Sequence, residues 1–358
     1  MAVVTYKCPN CDAELTYRPK TADFGCDYCS AKYTEAQILE IAKTQGIGND
    51  QSSEVQDATS TSGAENEFAN HAVVYNCPSC GAEVITDDTT AASFCFYCHN
   101  PVILGGRLSG ELAPDSIIPF AIDKENVKER LLEWCRKKKF IQKDFMSDMQ
   151  LEKLSGVYFP FWLVDAKADV HLSAEGRTLR VWIVGDIEYT ETTTYALERG
   201  GSADFTDITL RGLNRDDVRL LEGLYPYNLS ALKPFNMGFL SGFLAEKRNL
   251  EKSALQPEAN RIIKEGASAL INDTVGGYGA VTTKSLNATS VSEKWRYALL
   301  PAWMLTYRYK EKLYYFAMNG QTGQIAGRVP ASPKKLWLLF GGVAAGVFLI
   351  ALLIGGLM

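Results

Sequence analysis

The residues with the clearest chemistry are eight cysteines set in four C-x-x-C pairs. Cys8, Cys11, Cys26 and Cys29 read C-x2-C-x14-C-x2-C, and Cys77, Cys80, Cys95 and Cys98 repeat the spacing 69 residues later. The same shift superposes Tyr6 on Tyr75, Pro9 on Pro78, Glu14 on Glu83 and Tyr28 on Tyr97, so the unit itself is duplicated. Two thiolate pairs that close on one another match the tetrahedral, sulfur-preferring shell of Zn²⁺. A unit of roughly 30 residues cannot bury enough apolar surface to fold alone, and a bound metal supplies the missing stability. The expectation is two structural zinc ions. Four cysteines close the shell and leave no open position for catalysis. A redox C-x-x-C needs a thioredoxin-like βαβ setting, which the pattern lacks.

These cysteines must be carried by hairpins, which gives a zinc ribbon over residues 1–33 and another over 73–104. Between them, residues 34–72 read as a helix followed by a linker. Thr34–Thr44 has helical periodicity with Thr34 as N-cap, and residues 46–70 are rich in Ser, Thr, Gly and acids. That composition predicts a flexible leash for the first ribbon. Met1–Pro9 holds no apolar run, so no signal peptide is expected and the thiols are read as reduced.

Residues 117–330 are expected to form an α+β body with an antiparallel sheet. Lys124–Phe140 and Gln256–Ile271 have amphipathic helix patterns, and Cys135 falls on the apolar face of the first. Val157–Val164, Val170–Leu172, Thr178–Val184 and Tyr189–Ala196 read as strands, as do Tyr297–Tyr309, Lys312–Met318 and Gln324–Val329. Asn319–Gly323 (NGQTG) supplies a hairpin turn. Pro160-Phe161-Trp162 is echoed by Pro301-Ala302-Trp303, which implies either a duplicated α+β unit or two strands of one sheet that start from a Pro-marked edge. Residues 336–358 contain no charge and follow Lys334 and Lys335. They are expected to be a transmembrane tail anchor, with the positive-inside rule holding the body in the cytoplasm. The fold class is thus multi-domain: two small β zinc ribbons, an α+β body and one C-terminal transmembrane helix.

The formal net charge of −5 hides an asymmetry. Residues 1–116 carry 6 Lys+Arg against 16 Asp+Glu, and two four-thiolate metal centres would add to that negative charge. Phosphate backbones repel such a surface, so the ribbons read as protein-binding modules rather than nucleic-acid readers. No phosphate-binding loop, dinucleotide fingerprint, zinc-protease helix or nucleophile elbow occurs, and three histidines leave little for acid–base work, so no enzyme is expected.

The ribbons KCPNC…CDYC and NCPSC…CFYC, the GVYFPFW strand, the NGQTG turn and the apolar C-terminus together resemble a bacterial family of transcription-factor-IIB-type zinc-ribbon membrane proteins. Some of its members carry a primosomal or helicase-like label, although this sequence has no ATPase motif. The resemblance implies a membrane-anchored adapter that works with phage-shock (ESCRT-III-like) or flotillin-like proteins in envelope stress. The alternative is a membrane-associated, replication-related nucleic-acid-binding protein. Many members have one ribbon where this chain has two. Separately, Gly342–Gly346 (GVAAG) is a G-x-x-x-G pattern that could pair helices of two copies into a homo-oligomer.

Overall fold

The computed structural model describes residues 8–11, 13, 15–44, 72–77, 81–87, 95, 103–107, 113–138, 140, 154–214, 219–240, 242–309, 312–328 and 332–355. The expected linker at 46–70 lies outside them. So do Cys80 and Cys98 and the histidines His71 and His99.

Two sheets form. Strands β1 (Leu15–Arg18), β2 (Asp23–Cys26) and β3 (Lys32–Tyr33) make a small antiparallel sheet that leads into helix α1 (Glu35–Thr44). The cap is as expected: the Thr34 amide donates to Gln37 Oε1 at 2.8 Å, and the Gln37 amide donates back to Thr34 Oγ1 at 3.4 Å.

The second sheet has 11 strands and is mixed. Its elements are β4 (Ala72–Asn76), β5 (Glu83–Asp87), β6 (Ile103–Arg107), β7 (Ser116–Ile117), β8 (Ser155–Val184), β9 (Ile187–Arg211), β10 (Lys233–Pro234), β11 (Leu244–Glu246), β12 (Ala280–Tyr309), β13 (Lys312–Asn319) and β14 (Ile325–Gly327). The helices are α2 (Lys124–Arg136), a short α3 (Arg219–Glu222), α4 (Lys252–Asn272) and α5 (Pro333–Gly355).

This corrects the expected fold class in three respects. The body's sheet is not purely antiparallel, because β7 runs parallel to β12 and β11 parallel to β8. The strands of the second cysteine unit are not free-standing, since β5 pairs with β11 inside the same sheet. Nor is the expected transmembrane helix supported: among the described residues, no helix is long and apolar enough to cross a membrane. Such a span needs about 20 predominantly apolar residues. Residues 356–358 of the expected span lie outside the described set.

The first ribbon is docked, not free on its leash. Tyr17 and Phe24 share one core cluster with Phe120, Tyr158 and Phe239 of the body. The Tyr17 ring meets Phe24 and Phe239 edge-on, each at 5.3 Å, and its hydroxyl donates to the Phe120 carbonyl at 3.4 Å. Lys233 and Glu35 form an ion pair across the same junction. Aromatic pairs of this kind each add about 0.5–1.5 kcal/mol beyond area burial.

The proline echo marks an internal duplication. β8 and β12 are antiparallel neighbours, with Pro160 opposite Leu299 and Pro301 opposite Tyr158. Around each proline the same bonds recur. The Gly212 amide donates to the Pro160 carbonyl and the Gly320 amide to the Pro301 carbonyl, both at 2.9 Å. The Gly212 carbonyl accepts from Asn249 and Leu250, and the Gly320 carbonyl from Ala121 and Ile122. Trp162 Nε1 donates to the Leu250 carbonyl and Trp303 Nε1 to the Ile122 carbonyl, again both at 2.9 Å. One unit is therefore α2–β8–β9 and the other α4–β12–β13, each closed by the segment that precedes the other's helix. The buried faces of the two helices align as well: Val127, Leu131 and Cys135 in α2 correspond to Leu255, Ala259 and Ile263 in α4.

The prolines do not mark an edge. A strand residue points its N–H and C=O to the same side. At Pro160 that side is where β9, ending at Arg211, hands over to β11, which starts its pairing with β8 at Val157 and Tyr158. At Pro301 it is where β13 hands over to β7. A missing N–H costs no ladder bond at such a junction.

Candidate metal centre

Cys8 and Cys11 sit on the turn before β1, and Cys26 and Cys29 on the turn between β2 and β3. The antiparallel register Leu15 opposite Cys26 brings the two turns to one end of the small sheet. All four Sγ atoms lie within 4.8 Å of one another. Cys8 and Cys29 are 3.4 Å apart, as are Cys11 and Cys26. A tetrahedral ion with metal–sulfur distances near 2.3 Å spaces its ligands by about 3.8 Å, so the cage fits. These four cysteines could hold a metal ion, and no other such group occurs among the described residues.

The turns have a local logic. The Cys8 amide donates to the Ala13 carbonyl at 2.8 Å, and the Cys26 amide to Ala31 at 2.9 Å. The Ser30 amide returns to the Cys26 carbonyl at 2.9 Å, which places Ser30 at φ 61°. Each loop thus closes around its sulfurs and turns backbone donors toward them. The Cys29 amide lies 3.5 Å from Cys26 Sγ.

The electrostatics split the thiols. Burial pushes the Cys8 thiol up, but hydrogen bonds from the Tyr33 hydroxyl, the Asn10 backbone and the neighbouring thiols outweigh it and bring it down to about 6. Tyr33 Oη lies 3.4 Å from Cys8 Sγ. The Cys26 thiol is also lowered, chiefly by the Cys29 amide. Cys11 is lowered by the Ala13 backbone, yet burial and the three surrounding thiols raise it to about 12. Cys8 and Cys26 are thus shifted toward the thiolate, and Cys11 and Cys29 away from it, and binding of a cation would displace the remaining protons. Tyr33 carries a role that spacing alone does not reveal.

The second quartet is placed in part. Cys77 and Cys95 are both buried in one cluster with Ala82, Val84 and Phe159. The Cys77 amide donates to the Ala82 carbonyl and the Gly81 amide to the Cys77 carbonyl, each at 2.9 Å, with Gly81 at φ 72°. This matches the Cys26–Ala31 turn bond for bond. Cys135 is buried on α2 and is not part of the four-sulfur group; burial pushes its thiol up to about 11.

No family model matches the chain, and no solved structure does either. Among curated proteins, the uncharacterized protein YdjG of Bacillus subtilis (strain 168) is 30% identical over 358 residues, covering 99% of each chain. At that identity over essentially the full length of both chains, this protein belongs to the family of YdjG.

Proposed function

We propose that the chain is a zinc-stabilised adapter that captures partner proteins through its ribbons and does not catalyse a reaction. The observation that supports it is the closed four-thiol cage of Cys8, Cys11, Cys26 and Cys29, which fills a zinc shell and leaves no position for substrate. Zinc bound there cross-links two turns and holds their backbone fixed. The matching turn at Cys77 supports a second ion held by Cys77, Cys80, Cys95 and Cys98. The first ribbon packs its Tyr17–Phe24 face on the body and turns Tyr28 outward, where it is 83% exposed beside Asp27. An exposed aromatic on a rigid, acidic turn suits a protein contact. By resemblance, the partners are phage-shock-like or flotillin-like proteins.

Elemental analysis of the purified chain is expected to give two zinc ions, falling to one in the Cys8→Ser/Cys11→Ser variant. Zinc retention should weaken as pH drops, because protons compete for the raised Cys11 and Cys29 thiols already near neutrality, and should fall more steeply below about 6, where they compete for Cys8 as well. Pull-downs comparing wild type with Tyr28→Ala test the capture role. Identical partner sets would rule out the Tyr28 turn, and a salt-sensitive gel shift with duplex DNA would favour the nucleic-acid reading instead.

A further inference from the structure

Strands β8, β9 and β12 form a three-stranded blade. Along its base one face is closed by α4: Ala166, Ala168, Val170, Leu172 and Ala174 alternate inward against Ile263, Ala267 and Ile271. The opposite face carries Asp165, Lys167, Asp169, His171 and Glu175. This is the ordinary one-sided sheet.

The pattern breaks at Arg177. There β12 begins, with Ala280 opposite Arg177 and the Gly279 amide donating to the Arg177 carbonyl at 2.9 Å. β8 continues for seven more residues, Thr178–Val184, paired with β9 on one side only. Those seven read TLRVWIV, wholly apolar on one face and mixed on the other, where Thr178 and Arg180 accompany Trp182 and Val184. Leu179, Val181 and Ile183 point one way and are 65, 56 and 68% exposed; Trp182 and Val184 point the other at 40 and 59%. The open edge carries no Pro, Lys or bulge, the devices by which exposed strands normally avoid pairing.

We propose that this edge binds the same edge of a second copy, by antiparallel self-pairing of Thr178–Val184 about a two-fold axis at Val181. The direction of the Arg177 carbonyl fixes which groups face outward. Carbonyls and amides alternate sides along a strand, so those of Leu179, Val181 and Ile183 share the open edge. Centred on Val181, the pairing sets Leu179 opposite Ile183, Val181 opposite itself and Thr178 opposite Val184. Arg180 falls opposite Trp182, extending a contact it already makes within its own strand, where its guanidinium lies 5.6 Å from the Trp182 ring. A shift of the axis to Arg180 would oppose two like charges and shorten the overlap. Within each copy Arg180 stands opposite Glu191 across the hairpin, so the joint carries both signs of charge. The association is isologous and closes at two copies through this edge. A lipid surface fits less well, because Asp186 stands at the apex with Glu188 beside it, and hydrocarbon would strand the unpaired backbone.

The test uses the full chain. Val181→Cys is expected to give a disulfide-linked dimer under mild oxidation, since paired Cα atoms across a two-fold antiparallel joint lie about 5.5 Å apart. Wild type and Val281→Cys, an exposed position on the same blade, should stay uncross-linked. Wild type should sediment at twice the chain mass and Val181→Pro at the single mass, with unchanged zinc content reporting an intact ribbon. A wild-type monomer, a Val181→Pro dimer or an uncross-linked Val181→Cys chain would each overturn the proposal, as would a monomer that binds neutral-lipid vesicles through this hairpin. The zinc measurement is independent of all of them, so failure here leaves the adapter reading untouched.

Discussion

The two halves of the body share one plan and differ in how far each hairpin runs. In α4–β12–β13 the returning strand is 8 residues long, and its Phe316 and Tyr315 pair with the buried Leu305 and Thr306 of β12. In α2–β8–β9 the returning strand is 25 residues long, and the hairpin runs out past every other element of the blade. Around the prolines and tryptophans, where each half completes the other, the bonds are the same to within 0.1 Å. Beyond that point the halves diverge freely. The shared centre is constrained because each indole and each glycine serves a partner segment from the other half. The hairpin ends serve no such partner, so they can lengthen without disturbing the core.

The largest test of this equivalence is removal of the two indoles. Trp162 and Trp303 are 3 and 5% exposed, and each donates to a backbone carbonyl, half-buried at Leu250 and buried at Ile122. Truncation of either to Ala should cost about 3–5 kcal/mol, and thermal or urea unfolding should find the two losses similar. A loss at one site only would mean that the halves are alike in geometry but not in load. A smaller effect comes from the glycines. A Cβ at Gly320 would lie 2.6 Å from the Phe120 ring and 2.9 Å from Pro301, whereas at Gly212 the nearest atom, the Pro160 carbonyl oxygen, is 3.0 Å away. Gly320→Ala should therefore destabilise by about 1–3 kcal/mol and Gly212→Ala by less, in the same unfolding assay. The smallest separates the helix starts. Asp123 caps α2 by accepting from the Asn126 amide at 2.8 Å, while Glu251 at the start of α4 makes no side-chain cap bond. Asp123→Ala should cost about 1 kcal/mol, and Glu251→Ala close to nothing.

Much of this was legible in residue types. The Thr34 cap, the helix at Lys124, the NGQTG turn and the first four cysteines all stand where their local chemistry puts them. Asn319 shows why: its side-chain oxygen accepts from the Gln321 and Thr322 amides at 2.8 and 2.9 Å, and Gly323 takes the φ of 81° that closes the turn. The long strands were not legible as single elements. Asp165–Asp169 (DAKAD) looks like a break between strands, yet Ala166 and Ala168 are buried under α4 and the period of two continues through them. Alanine carries too little apolar signal to show it. Likewise β12 begins at Ala280, not Tyr297, because its first half is a Ser/Thr-rich blade strand with no apolar face to detect.

What the sequence determined unaided is whatever closes within a few residues: the cysteine turns, the caps, the tight hairpin and the echo of proline and tryptophan. The turns, caps and hairpin are set by hydrogen bonds between near neighbours along the chain, whereas the echo is visible only as repeated residue types. Tertiary structure alone decided that the first ribbon docks on the body, that the second unit's strands join the large sheet, and that the two echoing segments lie side by side and exchange their closing contacts. Those outcomes rest on pairings between residues a hundred or more positions apart. Backbone hydrogen bonds carry no side-chain code for their partner, so only the packed molecule selects among the strands that are chemically able to pair.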